Sequence, residues 1–76
     1  MAMQRYRNLG GNSGVVAFEI GDDSIAVRFI DGDIYLYTVE SAGTANITEM
    51  KRLAMRGQGL ASFISRVTRN MYASKL

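Results

Sequence analysis

A chain that acts on phosphates, acyl groups or bases must bring particular side chains within reach of one another, and here the candidates are few. Histidine and cysteine are both absent. A general base would have to be a carboxylate or a lysine with a shifted pKa. No thiolate is available as nucleophile or metal ligand, and no disulfide framework can form. The acids gather at two turns, Asp22 with Asp23 and Asp31 with Asp33. The run between those turns is about eight residues, so at ~3.3 Å per residue they lie ~25 Å apart, too far to share a metal ion or a scissile bond. Asp31-Gly32-Asp33 is too short for a calcium loop. Ser62 and Ser65 have no base to activate them. Gly57-Gln58-Gly59 precedes a helical pattern, but it lacks the phosphate-binding lysine and follows a helix instead of a strand. The expectation is a non-enzymatic domain with no cofactor and no metal.

What remains is charge and aromaticity. The net charge is +2 over 76 residues, but unevenly spread. Residues 1–49 hold three basic and seven acidic residues, net −4; residues 50–76 hold six basic residues and no acid, net +6. A one-sided basic surface suits an anionic partner. The alternative is a basic half that faces the acidic half of its own fold or of a second copy. Tyrosines can stack on unpaired bases while arginines hold phosphates. On that reading the candidates for RNA or single-stranded nucleic acid are Arg28, Tyr35, Tyr37, Lys51, Arg52, Arg56, Arg66 and Arg69. The competing reading of Tyr35 and Tyr37 is that both fill the core.

The elements that must position these residues centre on Ser24 to Val39, SIAVRFIDGDIYLYTV. Ile25, Val27 and Phe29 alternate with Ala26 and Arg28, the period of a strand with one buried face. Ile34 to Val39 is rich in branched and aromatic residues. Asp31-Gly32 between the two runs is a hairpin signal. Its register is open. A two-residue loop, Asp31-Gly32, places Arg28 opposite Tyr35 and leaves Arg28, Tyr35 and Tyr37 together on the face away from the core. A three-residue loop that includes Asp33 places Phe29 opposite Tyr35 and turns both tyrosines inward. A one-residue slip moves a strand's whole side-chain set across the sheet.

Val15 to Ile20 predicts a further strand, and Gly21-Asp22-Asp23 a turn. Residues 1–14, with glycines, asparagines and a serine from Asn8 onward, predict a mobile lead-in to a single domain over 15–76. Asn46 with Glu49 suggests a capped helix start, Ile47, Met50, Leu53 and Ala54 its apolar face, and Gly57 its stop. Leu60, Phe63, Ile64, Val67 and Met71 make an amphipathic stripe for a second helix running to about Tyr72. The predicted fold class is α+β: a three-stranded antiparallel meander with two C-terminal helices on one face, β-β-β-α-α.

Within that frame, VRFIDGDIYLYTV followed by LAMRGQGLASFISRVTRNMY resembles the KTSC domain, named from the C-terminus of some lysyl-tRNA synthetases. The resemblance rests on Phe29, Gly32, the Tyr35-x-Tyr37 pair, Gly59, Phe63 and Tyr72, and spans about residues 13–74. It implies a small bacterial or phage protein, with RNA binding suggested by the attachment to a synthetase. Ile34 and Leu36 are apolar where the family is polar, and no proline follows the second tyrosine. Two apolar side chains on the far face suit a homodimer seam.

No apolar run approaches the roughly 20 residues needed to span a bilayer, and the start, with Arg5 and Arg7 but no apolar segment after them, does not read as a secretory signal. The expected location is the cytoplasm. Two functions compete: nucleic-acid binding, and self-association through the sheet.

Overall fold

The computed structural model describes residues 2–76. The class is α+β, but the sheet has five antiparallel strands in sequential order instead of three. They are β1 (Gln4–Arg5), β2 (Val15–Ile20), β3 (Ser24–Phe29), β4 (Ile34–Thr38) and β5 (Ser74–Lys75). The two added strands are short pieces at the edges. Each is too small to show a period in sequence, and each exists only because a neighbouring strand offers its open edge.

The β3–β4 register follows from the turn. Phe29 N–H donates to the Asp33 carbonyl at 2.8 Å, and Gly32 N–H to the Phe29 carbonyl at 2.9 Å. The loop is therefore Ile30-Asp31-Gly32. Gly32 closes it at φ 97°, a conformation costly for a residue with a Cβ. Asp31 Oδ1 accepts from Asp33 N–H at 3.0 Å and tightens the corner. Neither expected loop is the one formed: it has three residues but takes in Ile30 and releases Asp33. Val27 then pairs with Tyr35 and Ile25 with Tyr37. That is two residues from the expected three-residue register, so the parity is the same and the tyrosines turn toward the core.

Strand β2 carries a bulge between Val15 and Ala17. Strict alternation would place Val15 and Phe18 on opposite faces. The extra residue resets the phase, and both are buried. Inward side chains from β2, β3 and β4, including Val15, Phe18, Ile25, Val27 and Tyr37, form one cluster with Ile47, Met50, Leu53, Leu60 and Ile64 from the helices. Each large apolar side chain so buried contributes about 1.5–3 kcal/mol against exposure.

Helix α1 (Val39–Ala42) is capped by Thr38 and Ser41, each side chain accepting from the other's backbone N–H. Helix α2 (Thr44–Arg56) starts after Gly43. The cap expected at Asn46 is thus displaced, and Asn46 instead donates its amide to the Ala42 carbonyl at 2.8 Å. Gly57 ends α2 as expected, in the left-handed region at φ 78°.

The second long helix is shorter than expected. It runs as α3 (Leu60–Phe63) and continues as a π-helical turn over Ile64–Thr68. The wider i→i+5 turn rotates the side chains that follow it. Thr68 becomes fully buried, while Val67 and Met71, expected on the apolar stripe, are 38% and 40% exposed. The chain then leaves the helix, so that Tyr72 and β5 return to the sheet beside β4.

The stretch expected as a mobile lead-in contributes to the fold. Gln4–Arg5 pairs with β2, and Tyr6 is 3% exposed, its hydroxyl accepting from Leu60 N–H at 3.2 Å. Arg7 Nη2 donates to the Met55 and Arg56 carbonyls at 2.7 and 3.0 Å. These are end-of-helix carbonyls of α2 with no intrahelical partner, where a cation also meets the negative end of the helix dipole.

Candidate aromatic cleft and basic surface

The inward parity of β4 and the return of the chain after the π turn bring four aromatic rings together. Tyr35 stands edge-on to Phe29 at 5.7 Å between centroids and to Tyr72 at 4.8 Å; Tyr37 stands edge-on to Tyr72 at 6.4 Å. Edge-to-face pairs of this kind are favourable by about 0.5–1.5 kcal/mol beyond their buried area. Tyr37 is 2% exposed, Tyr35 is half-buried, and Tyr72 is 40% exposed. The rings therefore grade from core to surface.

They line an open cleft of about 470 Å³, whose walls also include Ile64, Asp31, Arg69 and Asn70. Burial, with the neighbouring Tyr35 and Tyr72 phenols adding to it, pushes the Tyr37 hydroxyl up to about 12. Tyr37 thus stays neutral at the cleft floor at any physiological pH. Beside Tyr35, Lys75 pairs with Asp33 at 3.2 Å and stands 5.8 Å from the Tyr35 ring centroid. The Asp33 hydrogen bond and charge hold the Lys75 ammonium above its usual range.

The basic residues expected to act together are dispersed, and several already have partners. Lys51 Nζ donates to the Gly21 and Asp22 carbonyls, both at 2.8 Å, and ties α2 to the β2–β3 turn. Arg52 is paired with Glu49 at 2.6 Å; the bond keeps the Glu49 carboxyl below its usual range. Arg66 Nε donates to the Ser62 carbonyl at 3.3 Å within its own helix. Arg28 is exposed on the sheet face opposite the tyrosines. Arg56 is exposed at the end of α2. Of the eight candidates, the structure brings together Tyr35, Tyr37 and Arg69. Of the motif positions, Phe29 and Tyr72 join them in the cleft, Phe63 packs against the core, and Gly32 and Gly59 shape turns.

Asp31 and Asn70 are cleft residues that sequence reasoning does not single out. The sequence marks Asp31 only as turn-forming, which it is, and Asn70 lies off the helical stripe. A nearby recess of about 330 Å³ is lined by Tyr6, Asn8, Asn12, Ser13, Gln58 and Ser62, with no charged side chain. Among the described residues, no group of three or more acids lies close enough to hold a metal ion, and no helix is long and apolar enough to cross a membrane.

No protein-family model, no curated protein and no solved structure matches this chain.

Proposed function

We propose that this chain is a non-catalytic binding domain for single-stranded nucleic acid, RNA in the first instance, and that the aromatic cleft receives one unstacked base. The observation that carries the reading is the 40%-exposed Tyr72, set against Tyr35 at a cleft wall that also presents Arg69 and Asn70. A flat aromatic group offers any base a stacking surface. A guanidinium beside it suits the phosphate, and the amide of Asn70 and the free oxygen of Asp31 suit base edges. Four of the seven residues that carry the resemblance to the KTSC domain, Phe29, Tyr35, Tyr37 and Tyr72, meet in this cleft, which supports the same proposal.

The test is fluorescence anisotropy with short labelled oligoribonucleotides across a salt series. Log affinity should fall linearly with log salt. Tyr72→Ala should weaken binding roughly 5- to 150-fold, the loss of one stacking contact of about 1–3 kcal/mol. Arg69→Ala should weaken binding and flatten the salt slope by about one contact. Arg52→Ala, which removes a cation already paired with Glu49, should change little. Absence of binding at low salt to every oligonucleotide tried, or full affinity in Tyr72→Ala, refutes the proposal.

A further inference from the structure

The outer face of the sheet carries a pattern that the cleft does not use. The strand pairings align its side chains in two rungs that run across the strands. One is Glu19–Ala26–Leu36; the next is Arg5–Ala17–Arg28–Ile34. The helices pack against the other face, where the core lies. On the outer face Ile34 and Leu36 are only half-buried, and Arg5 and Arg28 are exposed. Glu19 is half-buried there, with one carboxylate oxygen, Oε1, shut off from solvent within its own chain.

We infer that this face is the interface of a symmetric homodimer in which two sheets pack face to face. Both copies present the same patch, so it must complement itself. A two-fold axis lying across the strands, midway between the rungs, exchanges one rung for the other. Glu19 of each copy then lies over Ala17 of its mate, flanked by Arg5 and Arg28, and Leu36 lies over Ile34. The charges match and the apolar side chains match in the same operation. The β-sandwich geometry this makes is an ordinary one, since sheets packed face to face keep their strands within about 30° of alignment.

The affinity is modest. Five strands about 4.8 Å apart and up to six residues long cover on the order of 400 Å² per copy, below the ~800 Å² per partner of a standard interface. Dimers therefore form in the micromolar-to-submillimolar range. The inference is independent of the cleft, which lies on the other side of the sheet.

Sedimentation equilibrium tests it. The wild-type chain should shift from monomer to dimer across that range. Glu19→Arg and Arg28→Glu should each weaken self-association about tenfold or more, because like charges then meet across the axis. Mixed together, the two variants should form a heterodimer. The guanidinium introduced at position 19 of one chain then meets the carboxylate introduced at position 28 of the other, while the unaltered Arg28 of the first meets the unaltered Glu19 of the second. Circular dichroism of each variant establishes that it folds. Leu36→Glu, at a half-exposed position, gives an independent way to break the seam. A wild-type chain that stays monomeric to submillimolar concentration overturns the inference. So does a mixture that associates no better than its components.

Discussion

Tyr37 offers a measurement in which the structure sets both sign and size. Its phenol is 2% exposed, and its pKa rises from 10.0 to about 12 on folding, with burial as the largest cause. A folded pKa above the unfolded one means that the folded state keeps the proton longer. The associated stability is therefore fully present below pH 10 and is lost as the pH climbs from about 10 to about 12. A shift of about two units corresponds to on the order of 3 kcal/mol. For a domain of this size that is roughly 10–25 °C of melting temperature. The perturbation is Tyr37→Phe, which keeps the ring and its packing and removes the titrating group. Among the described residues the hydroxyl takes part in no hydrogen bond, so the variant should lie within about 1 kcal/mol of wild type at neutral pH. Urea unfolding of both proteins at pH 7, 10, 11 and 12 is the assay. Every other ionisable group is common to both chains, so the difference between the two curves isolates Tyr37. Wild type should lose stability more steeply than Tyr37→Phe above pH 10, and the variant should become the more stable chain near pH 12. Parallel curves across that range refute the claim that Tyr37 is buried and neutral in the fold.

Other substitutions probe the elements that the tertiary structure introduced. Thr68 is fully buried with an unpartnered hydroxyl, so Thr68→Val should raise stability by about 1 kcal/mol in chemical denaturation, the methyl taking the hydroxyl's place at no desolvation cost. Gly57 stands at φ 78°, and a Cβ there would lie 2.8 Å from Arg7 Cβ; Gly57→Ala should lower stability by at least about 1–2 kcal/mol in thermal melts, and Gly10→Ala, with open space around it, serves as the control. Arg7→Ala should cost about 1 kcal/mol by removing the two hydrogen bonds to the last turn of α2, and its amide exchange should rise first around Met55 and Arg56, which hydrogen-exchange mass spectrometry reads directly.

The sequence by itself determined the parts of this protein that local rules govern. The strand β3, the apolar face of α2 and the glycine that ends it are each set within a few residues, and each formed, although Ala26, on the face opposite Ile25 and Val27, is buried as well. The clustering of basic residues after position 49 was legible as well. What they touch was not, because Lys51 reaches the Gly21 and Asp22 carbonyls only once the helix lies on the sheet. The tertiary structure alone decided the face that Tyr35 and Tyr37 occupy. Asp-Gly is compatible with loops of different length, and the burial of Tyr37 beside Ile25 and Val27 selects among them. It also decided the edges. Two-residue strands gain too little from their own hydrogen bonds to form alone, and they exist here because β2 and β4 offer unpaired backbone. The π turn has the same kind of origin, since nothing in Ile64–Thr68 forbids an α-helix. It is the packing of that segment that buries Thr68, and the chain beyond it then brings Tyr72 to the cleft. Local propensity can specify an element, but which side of it faces the core is settled by long-range burial, and in this chain the candidate site follows from that choice.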